Sequence, residues 1–239
     1  MNKFRAGALA ALLLLLIALF CLDKIYGISS IFNRTFPPKK ETALIKFFPF
    51  DNNDSLKEWS EKVLKGHVKY TIESFEGSSY VHAVSKGSCS AMYYEVKLDA
   101  ARHPFLSWKW RVTRFPGGAS KDDLSDKAKD DFAARVYIIF PALFFANSKV
   151  LEYVWAKDLP AGTIGRSPYS NNIKIVVLKQ GEAAEWVSEE RDIYKDYLEA
   201  FSEKPKLMIG ALAFMCDSDS TKTEAEAFFD DIKIFYPVR

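Results

Sequence analysis

The residues best suited to chemistry in this sequence alternate along one short stretch, residues 130–140. In a strand, successive side chains point to opposite faces, so Asp131, Arg135 and Tyr137 would share one face. That face offers a carboxylate, a guanidinium and a phenol, which are directional hydrogen-bond partners, while the other face is wholly apolar. The pattern predicts a central strand of a β-sandwich, with one face in the core and the other open to a ligand.

Two residues on neighbouring stretches are candidates for the same surface. Arg111 alternates with apolar residues in the stretch 106–112, and Trp155 lies in the stretch 150–156. The ring of a tryptophan can stack on a sugar. We interpret the following residues as the candidate ligand-binding set: Asp131, Arg135, Tyr137, Trp155 and Arg111. The alternatives are an Asp–Arg pair that only satisfies itself and a tryptophan that belongs to the core.

A second group of carboxylates suggests a metal ion. Asp217 and Asp219 flank Ser218, and clustered carboxylates with other oxygen donors are the ligands that calcium takes. The spacing does not match an EF-hand loop, and aspartates of this kind also suit a plain turn. We predict a structural calcium ion at Asp217 and Asp219 as one alternative, and we expect no cofactor to be required.

Motifs that would identify an enzyme are lacking in the sequence. The three histidines are scattered and suggest neither a zinc site nor a catalytic triad. There is no nucleophile elbow, phosphate loop or dinucleotide motif. A pair of carboxylates for glycoside hydrolysis can be assembled by the fold alone. A hydrolase of envelope glycans therefore stays open as an alternative to a binding protein.

Composition narrows the class of protein. The 239 residues suit one good-sized domain, and 49% hydrophobic and 15% aromatic residues are ample for a folded core. The net charge of +2 is close to neutral, which excludes the basic footprint of a nucleic-acid binder.

The N-terminus is typical of an exported protein. Lys3 and Arg5 precede an uninterrupted apolar run over residues 6–22, which is the pattern of a signal peptide or an uncleaved signal-anchor helix. We therefore predict this helix at residues 1–24, a linker at 25–42 and one β-sandwich domain at 43–239. The domain would lie in the periplasm, either released or anchored to the inner membrane by the N-terminal helix.

Periodicity predicts the remaining elements. Strand-like stretches fall at residues 68–75, 80–84, 90–98, 106–112, 150–156, 173–178, 207–216 and 228–235. One amphipathic helix is predicted between Glu189 and Phe201, with Ser188 as its N-cap. The fold class is all-β, an antiparallel β-sandwich of jelly-roll type with one edge helix. Cys89 and Cys216 are open to two interpretations, a disulfide in an oxidising compartment or buried free thiols.

Several ordered motifs resemble an uncharacterised family of exported bacterial proteins, catalogued as a domain of unknown function. They are LSWKWRV at 106–112, DDFAARVY at 130–137, YVWA at 153–156, Trp186 with ERD at 190–192, and DSDST at 217–221. The resemblance covers most of the chain from about Phe47 onward. It implies no particular activity, because none is established for that family.

A looser resemblance connects the two ends of the domain with jelly-roll carbohydrate-binding modules. Phe50 and Asp51 with Trp59 are similar to their first strand, and FDDIKI at 229–234 is similar to their last strand. In those modules sugars bind on one sheet and a structural calcium often lies near the termini; the resemblance implies the same architecture, while their aromatic ligand platform is not matched residue by residue. We expect one sheet of this domain to bind a saccharide or similar polar envelope component. The expected function is thus non-catalytic binding, with a glycan hydrolase and a structural or assembly protein of the envelope as alternatives.

Overall fold

The computed structural model describes residues 44–117, 121–181 and 185–237. The predicted signal or anchor helix and the linker that follows it lie outside the described residues. Among the residues that are described, no helix has the length and apolar character needed to cross a membrane.

Strands dominate the described chain, because stretches rich in β-branched and aromatic residues follow one another, separated by polar turns. They are β1 (Leu44–Phe48), β2 (Ser60–Lys65), β3 (Lys69–Phe75), β4 (Ser78–Lys86), β5 (Cys89–Leu98), β6 (Phe105–Arg114), β7 (Ala134–Phe140), β8 (Lys149–Ala156), β9 (Ile164–Ser167), β10 (Ser170–Gln180), β11 (Val187–Asp192), β12 (Ile209–Asp217) and β13 (Glu224–Phe235). One α-helix, α1, spans Ile193–Phe201, and short 3-10 turns lie at Asn53–Glu58, Ala100–Arg102, Lys127–Lys129 and Phe145–Asn147.

The strands form two sheets. Sheet A has the order β11-β6-β13-β4-β3, with β1 also paired to β13, and sheet B has the order β2-β5-β12-β7-β8-β10-β9. Neighbours are antiparallel except β8 and β10, which run parallel. The predicted all-β sandwich with an edge helix is confirmed, and the parallel pair is a feature that the alternation pattern did not predict.

Large aromatic side chains fill the space between the sheets. Trp110 of sheet A lies 5.7 Å from Trp155 of sheet B, measured between ring centroids. Trp108 lies 5.4 Å from Tyr153 in the same way. Rings of this size bury a large apolar area, and that burial is the main driving force for closing the two sheets on each other.

The predicted helix begins later than the sequence pattern indicates. Residues Val187–Asp192 form β11, which pairs with β6 at the edge of sheet A. Helix α1 begins at Ile193, and its N-cap is Asp192, whose side chain accepts a hydrogen bond from the Lys195 amide. Ser188 is therefore not the N-cap. The exposed backbone edge of β6 pairs with this segment, and that pairing overrides the local helical periodicity.

Strand β7 lies in the middle of sheet B, as predicted, but it has no open face. All of its residues, Ala134–Phe140, are buried. On the face away from the core, Tyr137 and Ile139 pack with apolar residues that include Val150, Ile173 and Ala213. The expectation that Arg135 and Tyr137 look out over an open sheet is wrong, because neighbouring side chains cover this face too.

The core predicts a large difference between two phenylalanine truncations. Phe214 is fully buried, with ring centroids 4.9 Å from Trp59 and 5.0 Å from Phe229. We expect Phe214→Ala to lower the free energy of unfolding by about 3–5 kcal/mol in urea titrations, because it leaves a cavity. The control is Phe144→Ala, at a side chain 71% exposed, which should change it by less than about 0.5 kcal/mol. Equal losses would contradict this description of the core.

Candidate functional site

Arg135 lies at the centre of a buried ionic cluster on the outer face of sheet B. Its Nε and Nη2 donate to the two carboxylate oxygens of Asp217, each at 2.8 Å. Its Nη1 donates to Glu152, and its Nη2 also donates to the Asp130 carbonyl at 2.6 Å. The guanidinium side chain is only 3% exposed. We call Arg135, Asp130, Glu152 and Asp217 the Arg135 cluster. Every Arg135 nitrogen is engaged, so this side chain has no donor left for a ligand.

Burial controls the protonation of the carboxyl groups in this cluster. It raises the pKa of Glu152 to about 7, although the Arg135 guanidinium opposes the shift. Burial likewise raises the pKa values of Asp130 and Asp217, again against the attraction of Arg135. Removing water disfavours a charged carboxylate, and a single guanidinium does not fully replace the lost hydration.

Asp131 has a structural task next to this cluster. Its carboxylate accepts hydrogen bonds from the backbone amides of Ser220 and Thr221, at 3.1 and 2.6 Å, and from the Thr221 hydroxyl. The side chain is 2% exposed. Asp131 therefore fixes the loop that follows β12, and its oxygens are not free to bind a ligand.

The space above the Arg135 cluster is too small for a sugar. Tyr137, Glu152 and Asp130 line a narrow cavity of about 30 Å³. That volume can hold a water molecule, whereas sites for larger organic ligands measure about 300–1,000 Å³. Burial also raises the pKa of Tyr137 well above its ordinary value, so its phenol stays protonated.

Trp155 does not lie on a ligand-binding surface. Its side chain is fully buried between the sheets, and its indole Nε1 donates to the Gly181 carbonyl at 2.7 Å. A ring packed against Trp110 in the core has no face available for stacking on a sugar. For Trp155 the alternative interpretation, a core residue, is the one that the structure supports.

Asp217 and Asp219 come close to Cys89, with one ligand atom of each within 4.8 Å of the others. Both oxygens of Asp217 accept from Arg135, and Asp219 pairs with Lys65 at 3.1 Å. These residues do not fit calcium, because two cations already neutralise the carboxylates and a thiol is not a calcium ligand. A structural calcium ion at Asp217 and Asp219 is thus a prediction from the sequence alone, and the contacts of these residues do not support it.

Cys89 and Cys216 are both free, buried thiols. Cys89 is paired in register with Asp217, and Cys216 with Ser90, so the two cysteines point to opposite faces of sheet B. Cys216 packs in the core between the sheets, and Cys89 packs on the outer face. That arrangement excludes a disulfide between them in this fold.

Arg111, the last of the candidate residues, lies on the outer face of sheet A and lines a groove of about 700 Å³. Tyr80, Lys109, Trp186 and Asp230 also line this groove. We call it the sheet A groove. Its volume falls in the range of ligand sites. Of the five candidate ligand-binding residues, only Arg111 lies in a groove of this size. The structure places Asp131, Arg135 and Tyr137 together beneath the outer face of sheet B.

Strand register places the side chains of this groove. Phe228 on β13 lies opposite Arg111 on β6, and Asp230 lies opposite Lys109. Residues opposite each other in neighbouring strands, and two apart along one strand, share a face. A bulge follows Asp230, where Asp231 adopts a left-handed conformation with φ of 50°. The bulge lets Asp231 form a salt bridge with Lys109 at 2.7 Å.

Aromatic rings form one side of the groove. The ring of Tyr80 lies 5.4 Å from that of Trp186 and 5.6 Å from that of Phe228, between centroids. The Arg111 guanidinium carbon lies 4.3 Å from the Phe228 centroid and 5.5 Å from that of Trp186. Tyr80 and Trp186 are partly exposed. The groove thus combines rings with charged groups, an arrangement suited to ligands with both apolar and polar faces.

Polar atoms in the groove lack partners within the described chain. The Arg111 Nε and the Asp230 Oδ1 are buried and form no hydrogen bond. Burial raises the pKa of Asp230 to about 6. Because both atoms are buried, a ligand in the groove would meet the other nitrogens of Arg111 and the other carboxylate oxygen of Asp230.

The sequence analysis missed Tyr80, Trp186, Phe228 and Asp230 as site residues. Alternation in 228–235 puts Phe228 and Asp230 on one face, so a signal was present for that pair. Nothing in the sequence indicates that β6 lies between β11 and β13, and that order brings Trp186 to Arg111.

Comparison with known proteins gives one family match. A family model described as "Protein of unknown function (DUF3047)" matches residues 57–233. This match confirms the resemblance to a family of unknown function that the sequence motifs indicated. No curated protein matches the chain significantly.

Several solved structures have a similar fold. A family 11 carbohydrate-binding module from Clostridium thermocellum, in complex with a mixed-linked tetrasaccharide, is 11% identical with a TM-score of 0.41, covering 82% of this chain and 96% of that chain. A family 30 module from a cellulase of the same organism is 8% identical, TM-score 0.44, covering 76% and 93%. The xyloglucanase domain of NopAA from Sinorhizobium fredii is 10% identical, TM-score 0.46, covering 75% and 93%. Similarities at this level do not indicate what this chain binds.

The Arg135 cluster predicts that removing the charge of Asp217 strongly lowers the stability of the fold. We expect Asp217→Asn to lower the free energy of unfolding by about 3–5 kcal/mol in urea titrations, because the buried Arg135 loses its bidentate partner. The matched control is Asp219→Asn, whose partner Lys65 is 43% exposed. It should cost less than about 1 kcal/mol. A loss for Asp217→Asn no larger than that of the control would show that the ion pair is dispensable.

The cluster also predicts a pH dependence of stability. The folded-state pKa of Glu152, about 7, lies above the 4.5 of an ordinary glutamate. Its protonated form therefore stabilises the fold fully below about pH 4.5, and this stabilisation is lost as the pH rises through about 7. Chemical denaturation at pH 5 and pH 8 should show lower stability at pH 8. Glu152→Gln should reduce this difference, whereas Glu199→Gln on the exposed face of α1 should leave it unchanged.

Proposed function

The chain belongs to the DUF3047 family of proteins of unknown function, and we propose that it binds a saccharide in the sheet A groove without catalysing a reaction. One observation carries the proposal. The outer face of sheet A holds a groove of about 700 Å³ in which the partly exposed rings of Tyr80 and Trp186 lie beside the charged side chains of Arg111 and Asp230.

The chemistry of the groove suits a sugar. A pyranose ring has apolar faces made of C–H groups and a polar rim of hydroxyls. The rings of Tyr80 and Trp186 offer apolar surface for those faces. Arg111 offers donors and Asp230 an acceptor for the rim. A site with mostly apolar walls and a few placed polar groups is the usual form of a small-ligand site.

The outer face of sheet B supports binding less well. Its predicted residues Asp131, Arg135 and Tyr137 are almost fully buried and hold the fold together. A glycan hydrolase would need room for a sugar ring between its carboxyl groups, and the cavity at Glu152 measures only about 30 Å³. Binding without catalysis is therefore the function that the geometry favours.

The cellular location is part of the proposal and rests on the sequence. The charged residues Lys3 and Arg5 before the apolar run 6–22 support export to the periplasm, with the N-terminal segment either cleaved or kept as an anchor. In that location the available saccharides are those of the envelope or those entering it.

Glycan-array binding of the full chain in detergent, followed by calorimetry on the best ligand, tests the proposal. We expect Trp186→Ala and Tyr80→Ala each to weaken binding by about tenfold, because each removes a stacking surface. Phe144→Ala, an exposed aromatic truncation outside the groove, should leave affinity unchanged. Turnover of the bound glycan would favour the hydrolase. Binding to a protein partner with no glycan binding would favour a structural or assembly role and overturn the proposal.

A further inference from the structure

The guanidinium of Arg111 differs from the other basic side chains near it on the outer face of sheet A. Lys109 is paired with Asp231 at 2.7 Å, and His82 lies between Glu73 and Glu226. Arg111 makes no salt bridge and donates no hydrogen bond to any residue that the structure describes; its contacts there are with aromatic rings. Among the described residues, no carboxylate forms a salt bridge with the positive charge of Arg111, although Asp230 and Glu76 line the same groove.

The aromatic contacts of Arg111 position its charge but do not satisfy it. Cation–π attraction to Phe228 and Trp186 holds the guanidinium close to these rings. Rings, however, accept no strong hydrogen bond from the five N–H donors of an arginine. The planar fork of those donors matches the two oxygens of a carboxylate, and it does so better than it matches a single hydroxyl.

On this basis we infer that the saccharide bound in the sheet A groove is an acidic one, whose carboxylate pairs with Arg111. This inference rests on the proposed function and adds the chemical class of the ligand. Sugars of this class are uronic acids and other carboxylate-bearing sugars.

The other charges of the groove set the orientation of such a ligand. Asp230 and its neighbour Lys109 lie two positions along their strands from Phe228 and Arg111, which is about 7 Å. The carboxylate would be repelled by Asp230, so it must lie at the Arg111 end of the groove. The Asp230 carboxylate, which lines the groove, then accepts a hydrogen bond from a hydroxyl of the same or the next ring. Glu76 in the turn before β4 also lines the groove and adds a second negative charge.

The test compares acidic and neutral sugars on the full chain. On a glycan array, carboxylate-bearing glycans should bind and their neutral counterparts should bind weakly. Calorimetry should then show that the best acidic glycan binds about tenfold or more tightly than its carboxyl-methyl ester. That difference should shrink as the salt concentration rises, since salt screens a partly exposed ion pair.

Variants at position 111 connect this preference to one side chain. Arg111→Gln should abolish the difference between acid and ester, so that this variant binds the two ligands with equal affinity. Arg111→Lys should retain part of the preference, because it keeps the charge and loses the fork. Lys109→Gln is the matched control, since Lys109 is already paired with Asp231, and it should retain the preference. Thermal unfolding of each variant checks that the fold is intact.

The outcomes separate the two proposals. If neutral glycans bind as tightly as acidic ones, or if Arg111→Gln keeps the preference, the acidic ligand is wrong while saccharide binding stands. If no glycan of either kind binds, saccharide binding itself fails, and the inference fails with it.

Discussion

The bidentate ion pair between Arg135 and Asp217 is the constraint on which sheet B depends. It ties β7 to β12 with two hydrogen bonds of 2.8 Å in a site that is 3% exposed. The same guanidinium reaches Glu152 on β8 and the Asp130 carbonyl, so one charge holds three adjacent strands in register. A charge this deeply buried is tolerated only when its partners are in place. This requirement fixes the chain just before β7, which supplies Asp130, and the end of β12, which supplies Asp217.

The two outer faces of the sandwich consequently have different roles. On sheet B the polar groups satisfy one another, and Asp131 adds to this by holding the backbone of Ser220 and Thr221. On sheet A the charged side chains of Arg111 and Asp230 line a groove beside partly exposed rings. A ligand gains affinity from polar groups that the protein does not already pair with one another. Such groups line the groove of sheet A, whereas those of sheet B pair with one another.

Alternation in the sequence was a good guide to which strands exist and a poor guide to which faces are open. It predicted that Arg135 and Tyr137 point away from the apolar side of β7, and they do. It could not predict that Ile173 and Met215 join them on the outer face and bury them. Trp155 illustrates the same limit, because a tryptophan at a strand position looks alike in the sequence whether it packs in a core or stacks on a ligand.

Two sets of facts about this protein follow from the sequence alone: an all-β domain with apolar strands of period two, and the identity of its family through ordered motifs. Both are local properties of the chain, since side-chain alternation and motif order do not depend on distant contacts. The tertiary structure alone decided that β11 is a strand, that Arg135 is buried, and that Trp186, next to β11, meets Arg111 on β6. These results depend on strand order and on packing between residues far apart in the chain, which no periodicity within one segment encodes.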